Sequence, residues 1–231
     1  MKSFRICMQN IRKWGSNSRI KMCLIMSFLF VYSYISGMWK IIPLVGEKMN
    51  PWIFPFLFCW RFMKIVFMAP IVFIFCDAPF IDSNQSYVML RTSRKKWCFG
   101  QVLYIYAGSV IYAFVLFFST IIINIGHIKW GTSWGKVLGS AGTSTVLSTL
   151  GINYTTVKVP AIVIRYYTPA QAMFFSFLLM VLSFIFIGLL IYTVNVITKT
   201  NVAGTIIAGF FVILTAVVDG NQRLIWLSPI S

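Results

Sequence analysis

The segment FGQVLYIYAGSVIYAFVLFFSTIIINI, which runs from Phe99 to Ile125, contains no charged residue. A transmembrane helix needs about 20 mainly apolar residues, and this segment is longer than that. Other apolar segments precede and follow it along the chain, and polar stretches separate them. The sequence therefore predicts an all-α integral membrane protein, a polytopic bundle of transmembrane helices.

The composition of the chain excludes the common soluble classes. Of the 231 residues, 59% are hydrophobic and 10% are charged, and the mean hydropathy is +0.84. A soluble domain has about 25% charged residues. The chain is too apolar to cover itself with a water-exposed surface, and its many aromatic residues suit lipid-facing and interfacial positions.

Five segments are predicted to span the bilayer, at about 22–42, 62–80, 99–125, 170–197 and 202–218. The second is the least regular, because Arg61 and Lys64 stand near its start. A span centred on Arg61 would place both cations deep in lipid, at about 2.5–3.5 kcal/mol each. A start at residue 62 lets both side chains reach the headgroups, and the aromatic segment 52–60 is then predicted to lie at the outer interface.

Basic residues indicate how the bundle is oriented. Lys and Arg number 20 against 4 Asp and Glu, which gives a net charge of +16. Because cytoplasmic loops carry the excess of Lys and Arg, the N-terminus, the loop 81–98 and the turn 198–201 are predicted to be cytoplasmic in the cell membrane. The loop 127–168 is then extracellular, with short helical stretches at about 134–150 and 156–166. The basic clusters suit membrane lipids, and no nucleic acid partner is expected, because the chain has no soluble basic face.

Residues that usually carry catalysis or bind metals are scarce in this sequence. The five cysteines form no CxxC pair and His127 is the only histidine, so no metal site is predicted. None of the acidic residues lies in the middle of a predicted span; they are Glu47, Asp77, Asp82 and Asp219. This counts against a proton-driven carrier and an intramembrane hydrolase, both of which rely on buried carboxylates. Asp77 and Asp82 are interpreted as solvated loop and cap residues.

No catalytic residue and no cofactor site are expected in this chain. The segment from Gly131 to Val137 looks at first like a phosphate-binding loop. Only three residues separate its glycines, however, and Val137 stands where a P-loop has the Ser or Thr that binds magnesium. If ATP drives this protein, a partner chain supplies it.

Gly204 and Ala208 have the four-residue spacing that lets helix backbones approach closely in a membrane. They are predicted to pack against a neighbouring helix. The alternative is chance, because small residues are common in such a helix.

The polar segment 77–98 is the strongest candidate for a functional site. Asp82 and Gln85 have the spacing of a capping box, which predicts a short helix from about 83 to 91. Its apolar side chains could enter a cleft in a partner while the basic turn after it holds lipid headgroups. The candidate site consists of Asp82, Gln85, Tyr87, Val88, Leu90, Arg91, Arg94, Lys95 and Lys96. The alternative is an ordinary basic loop that only sets the topology.

The segment from Phe75 to Gln101, FCDAPFIDSNQSYVMLRTSRKKWCFGQ, resembles the connection between the second and third spans of bacterial ATP-binding-cassette (ABC) exporter permeases of the type-2 class. The similarity lies in the polar run, the basic turn Arg91–Arg94, the aromatic Trp97 and the Gly100-Gln101 pair that opens the next span. It implies one transmembrane permease domain over residues 1–231, with six spans. The loop 82–97 would then be a coupling helix that docks on a separate ATPase subunit.

The resemblance also implies a second permease chain, in a homo- or heterodimer, and export of a substrate. The sequence departs from the family in having five predicted spans. Its end, from Trp226 to Ser231, resembles the lead-in to a last span, so we expect the parent gene to continue. The alternative function is a non-transporting multi-span membrane protein, such as an assembly, immunity or interaction factor. The substrate cannot be read from the sequence.

Overall fold

The computed structural model describes residues 2–80, 92–142 and 157–218. Within these ranges the chain is helical and has no strand, apart from one isolated bridge between Met49 and Ile128. The α-helices are α1 (Lys2–Arg12), α2 (Ser18–Ser36), α3 (Ile42–Val45), α4 (Arg61–Phe75), α5 (Arg94–Asn124), α6 (Gly135–Ala141), α7 (Ala161–Tyr166), α8 (Pro169–Thr198) and α9 (Ala203–Val218). Short 3-10 helices occur at Lys13–Gly15, Gly37–Lys40, Phe54–Phe58 and Ile125–His127. The predicted all-α fold is confirmed.

Three helical segments among the described residues are long and apolar enough to cross a membrane: Ser18–Val45, Arg94–His127 and Pro169–Thr198. They coincide with the first, third and fourth predicted spans. The last of these helices begins at Pro169, at the position that its sequence predicts. Thr168 and Gln171 form a capping box, and Pro169, which lacks an N–H group, occupies the first helical turn as predicted.

The helices at the second and fifth predicted spans are shorter. α4 has 15 residues and α9 has 16, whereas a full crossing needs about 20. α4 ends at Phe75 and does not continue to residue 80, because the chain turns there: Ala78 N donates to Phe75 O and Phe80 N donates to Asp77 O. α9 is described as far as Val218, where the described range ends.

α5 lies in the middle of the bundle and packs against α1, α2, α4 and α8. Its fully buried Tyr112 joins three helices: the hydroxyl donates to Phe67 O at 3.1 Å and lies 2.8 Å from Ser27 Oγ. On α8, Gly188 permits close approach, because a Cβ there would lie 2.5 Å from Ile105 Cγ2. Interhelical hydrogen bonds and close packing are what associate helices in lipid, where the hydrophobic effect between them is absent.

The long helices alternate in direction, so the bundle has two unlike ends. The basic end is formed by residues 2–17, 76–80, 92–97 and 199–202. The capped end is formed by residues 37–60, 125–142 and 157–168. The basic end carries exposed cations, among them Arg5, Arg12, Arg94, Lys95, Lys96 and Lys199.

The aromatic segment 52–60 belongs to the capped end, where residues 53–57 are buried against the bundle; its predicted place at the bilayer interface stays a prediction. Phe54 and Phe56 are at most 1% exposed, and the 3-10 helix that contains them packs against α4 and α8. The indole of Trp52 donates to Gly131 O at 2.8 Å. An aromatic segment is compatible with either an interface or a buried core. This one is buried by contacts with residues far away in sequence, in α8 and at Gly131.

Two short helices of the capped end fall within the predicted helical stretches of the loop 127–168. α6 lies within 134–150, of which the residues from 143 onward are outside the described ranges. α7 begins only at Ala161, because Pro160 is extended. Lys136 Nζ lies 2.7 Å from Glu47 Oε1, and this hydrogen bond lowers the pKa of the Glu47 carboxyl.

Candidate coupling site at the basic end

A polar cavity of about 360 Å³ opens at the basic end of the bundle, beside the point where the chain leaves α4 for the segment 81–91. Side chains from four separate parts of the chain line it. The polar ones include Asn10, Asn17, Arg19, Asp77 and Asn201. The cavity therefore marks where the N-terminal segment, α2, the turn after α4 and the turn before α9 meet.

An ion pair crosses one wall of this cavity. Arg19, in the first turn of α2, donates from Nη1 to Asp77 Oδ1 at 3.0 Å and from Nη2 to Asp77 Oδ2. Arg19 Nε is buried, and no hydrogen-bond partner for it is found among the described residues. Asp77 is thus not the simply solvated loop residue that the sequence predicted. The two residues are 58 positions apart, so no local pattern could have indicated the pair.

Asn195, near the end of α8, holds two backbone segments at the same end. Its Nδ2 donates to Ala78 O at 2.7 Å, and its Oδ1 accepts from Gly204 N at 2.7 Å. Asn195 is only 2% exposed, so both hydrogen bonds are buried. Sequence analysis missed Asn195, although an amide within an otherwise apolar span is a signal that could have found it.

Gly204 lies at the contact between α8 and α9, and Ala208 is buried one turn further along α9. A Cβ on Gly204 would overlap Ile191 O and lie 2.7 Å from Asn195 Oδ1. Ala208 is 1% exposed. Close approach of the two helices at this point therefore requires glycine, and it brings Gly204 N within reach of the Asn195 amide.

The chain that follows the segment 81–91 is fastened by the N-terminal segment. Ser3 Oγ donates to Lys96 O at 2.9 Å, and Asn10 Nδ2 donates to Gln101 Oε1 at 3.0 Å. Trp14 Nε1 donates to the Tyr104 hydroxyl at 2.8 Å. These contacts attach α1 along the first turns of α5.

Gly100 makes this docking of α1 possible. A Cβ at that position would lie 3.0 Å from Ser3 O, tighter than side-chain contacts normally are. The buried face of α1 is formed by Ile6, Cys7 and Asn10, a spacing of one helical turn. Sequence analysis used the basic N-terminal residues only to orient the chain, but the spacing of Ile6, Cys7 and Asn10 was an available signal for a packed helix.

The predicted site residues divide into two groups. Arg94, Lys95 and Lys96 lie in the first turn of α5, and all three are exposed. Cations at a helix N-terminus oppose the helix dipole, so these three do not serve to stabilise α5. The remaining predicted residues lie outside the described residues, as does the predicted helix 83–91: Asp82, Gln85, Tyr87, Val88, Leu90 and Arg91.

The hydrogen bonds at the basic end connect both sides of the segment 81–91 to other helices. The chain that enters the segment 81–91 is held at Asp77 and Ala78 by α2 and α8, and the chain that leaves it is held by the N-terminal segment. Within residues 2–80, 92–142 and 157–218, no group of three or more His, Cys, Asp or Glu side chains could hold a metal ion. No protein-family model, curated protein or solved structure matches the chain.

Proposed function

We propose that this chain is the membrane-spanning permease subunit of an ABC-type transporter and exports a substrate with energy from a separate ATPase subunit. One observation carries the proposal: both ends of the segment 81–91 are fastened to other helices, through Arg19–Asp77 and Asn195–Ala78 on one side and Ser3–Lys96 on the other. A loop fastened in this way passes a push from a docked partner into the bundle.

The helices that would move are identified by the same contacts. Asp77 connects the loop to α2, while Asn195 connects it to α8 and, through Gly204, to α9. Packed elements shift as rigid bodies and do not deform continuously. A displacement of the loop would therefore rotate or shift α2, α8 and α9 together, which is the kind of motion that alternating access requires.

The proposal includes five crossings of the cell membrane, with the basic end in the cytoplasm. The density of cations along the sequence supports this orientation: eleven of the 20 Lys and Arg lie in residues 1–21, 77–98 and 198–201, and Lys and Arg are retained on the cytoplasmic side. α4 has 15 residues and is about 22 Å long at 1.5 Å per residue, whereas the bilayer core is about 30 Å thick. The bilayer accommodates such a short helix by local thinning and by snorkelling of flanking residues such as Arg61.

Recovery of the partner ATPase tests the proposal. The tagged chain is purified from its native host in mild detergent, and copurified proteins are identified by mass spectrometry. We expect an ABC-type ATPase subunit, and we expect its recovery to fall several-fold in the double variant Arg91→Gln and Arg94→Gln. Lys95, Lys96 and the N-terminal bases still orient that variant.

A matched control removes two cations from the capped end, Lys129→Gln and Lys136→Gln, and should leave the recovery of the ATPase unchanged. The proposal is wrong if no ABC-type ATPase copurifies with the wild-type chain. Full recovery of the ATPase with the Arg91 and Arg94 variant would leave these residues as topology signals only.

A further inference from the structure

The polar cavity of about 360 Å³ at the basic end is rich in hydrogen-bond donors. Its lining residues carry two cations, three asparagine amides, one phenol and one carboxylate. The lining is therefore positive overall, because Lys13 and Arg19 outnumber Asp77. A concave site lined by an excess of one sign of charge attracts ligands of the opposite sign. The composition of the lining favours an anionic ligand.

The carboxylate of the cavity is already paired with an arginine. Arg19 Nη1 and Nη2 donate to the two carboxylate oxygens of Asp77. The remaining nitrogen of this guanidinium, Arg19 Nε, is buried, and residues 2–80, 92–142 and 157–218 supply no acceptor for it. A buried N–H group of a charged side chain is costly to leave unsatisfied. An acceptor atom bound in the cavity would remove that cost.

A second buried donor at the cavity also has a proton to spare. Tyr104 lines the cavity and is 3% exposed. Its hydroxyl oxygen accepts from Trp14 Nε1 at 2.8 Å, so its own proton remains to be donated. No acceptor for that proton is found in the part of the chain that the structure describes. Buried Tyr hydroxyls usually have such a partner, and a ligand in the cavity could supply it.

The N-terminus of α2 lies at the same cavity. Asn17 is the N-cap residue of this 19-residue helix, and its Oδ1 accepts from Arg19 N at 3.0 Å. Asn17 and Ile20, in the first turn, both line the cavity. The N-terminal end of a helix carries a partial positive charge and unpaired N–H groups, which together favour phosphate and other anions. The end of α2 therefore adds to the positive potential of the lining.

We propose that this cavity binds one phosphate group, from inorganic phosphate or from a phospholipid headgroup. Arg19 Nε, the Tyr104 hydroxyl and the amide nitrogens of Asn17 and Asn201 donate to its oxygens. A phosphate suits this set because it offers at least three strong acceptor oxygens, whereas a carboxylate offers two. The site requires no partner ATPase, so it stands or falls separately from the proposed function.

The ligand would connect parts of the chain that are distant in sequence. Arg19 belongs to α2, Tyr104 to α5 and Asn201 to the turn before α9. Asp77, which Arg19 holds, belongs to the turn after α4. A ligand that binds the folded chain and not the unfolded chain stabilises the fold in proportion to its occupancy. Bound phosphate is therefore expected to raise the melting temperature of the protein.

Equilibrium dialysis with radiolabelled orthophosphate tests the site. The full-length chain is delipidated in a phosphate-free detergent, and chloride keeps the ionic strength constant. We expect about one phosphate per chain and a melting temperature that rises with phosphate. Asn17→Asp still caps α2, because Asp and Asn are equally good N-caps, but it places a carboxylate at the cavity and should weaken binding several-fold.

Two further variants keep the result interpretable. Asn201→Asp makes the same change in an exposed turn and should also weaken binding, so the test remains if Asn17→Asp does not fold. Gln9→Glu is the matched control: it also converts an amide into a carboxylate at the basic end, but Gln9 is exposed on α1 and does not line the cavity. It should leave phosphate binding unchanged.

A second arm identifies the source of the phosphate. The chain is placed in nanodiscs of phosphatidylcholine with or without phosphatidic acid, and lipid that stays bound is identified by native mass spectrometry. If a headgroup fills the site, phosphatidic acid should compete with orthophosphate and remain bound, and Asn17→Asp should release it. If the site takes the free ion, phosphatidic acid should leave orthophosphate binding unchanged.

Two results would overturn the proposal. The first is that neither orthophosphate nor any phospholipid binds in a way that Asn17→Asp and Asn201→Asp weaken. The second is equal weakening by Asn17→Asp, Asn201→Asp and Gln9→Glu, which would mean that the net positive charge of the basic end attracts phosphate without a defined site.

Discussion

The Asn195 side chain connects two backbone segments of the basic end, the turn after α4 and the start of α9. Replacement by Leu keeps the branching at Cγ, although Leu is larger, and removes the partner of Ala78 O and of Gly204 N. A buried polar group left unsatisfied costs about 1–3 kcal/mol. We expect Asn195→Leu to lower the melting temperature of the detergent-solubilised protein, measured by loss of the monodisperse peak on size exclusion after heating.

Ser183→Leu is the control for that experiment. Ser183 lies on the same helix, is half-buried, and donates to Leu179 O within its own helix. Its replacement should leave the melting temperature nearly unchanged. Equal melting of the two variants would show that the Asn195 amide does not hold these segments together.

Substitution by alanine is expected to have opposite effects on stability at two glycines of α9, Gly204 and Gly209. At Gly204 an added methyl group overlaps the backbone oxygen of Ile191, which cannot move aside, so Gly204→Ala must force α8 and α9 apart. At Gly209 no atom lies within 4 Å of the added methyl group, and alanine is better than glycine in a helix by about 0.5–1 kcal/mol. We expect thermal melting to show a loss of stability for Gly204→Ala and no loss for Gly209→Ala; the reverse order would contradict the packing at Gly204.

At the scale of elements, the ion pair Arg19–Asp77 is the link between α2 and the turn after α4. Its two side chains are 35% and 57% exposed, and pairs this exposed contribute only about 0–1 kcal/mol to stability. We therefore expect Asp77→Asn to change the melting temperature hardly at all. Under the proposed function it should reduce ATP hydrolysis by the complex with the proposed ATPase, because it breaks the link between the segment 81–91 and α2. The exchanged pair Arg19→Asp with Asp77→Arg should restore part of the activity.

Glu47→Gln is the matched control for Asp77→Asn, because it also breaks an exposed pair, with Lys136, but at the capped end. Hydrolysis should be unaffected by it. If both single variants behave alike, the Arg19–Asp77 pair has no special part in coupling.

The helices themselves could largely be predicted from the sequence, whereas their connections could not. Uncharged runs such as 99–125 predict long helices because hydropathy and length are local properties of the chain. Trp14 and Tyr104, by contrast, meet across 90 residues, and neither has neighbours that indicate the other. Arg94, Lys95 and Lys96 were predicted as site residues from their charge. Asn195 and α1 carry local signals, an amide in an apolar span and a buried face, but their partners follow from tertiary contacts alone, as does the pairing of Asp77 with Arg19.

At the scale of the whole molecule, the two ends differ in a way that bears on orientation. The basic end has exposed cations on three separate segments, residues 2–17, 92–97 and 199–202, where they are closely spaced. The capped end exposes cations too, among them Lys40, Lys48, Lys129 and Lys136, but over a longer stretch of chain, and it is closed by buried aromatic residues such as Phe56 and Trp134, whose rings lie 5.4 Å apart. An orientation with the basic end outside would place that charge on the side from which the cell excludes it.

Cysteine labelling of intact cells tests this orientation directly. The native cysteines are replaced, and single cysteines are introduced at Ser86, in the predicted coupling loop, and at Thr132, which is exposed at the capped end. We expect a membrane-impermeant maleimide to label Thr132→Cys from outside and to label Ser86→Cys only after the cells are opened. Thr200→Cys, in the exposed turn before α9, should behave like Ser86→Cys, because five crossings place both positions on one side. Labelling of Ser86→Cys from outside would reverse the orientation. If Thr200→Cys and Ser86→Cys were labelled from opposite sides, an odd number of crossings would separate them, which five spans do not allow.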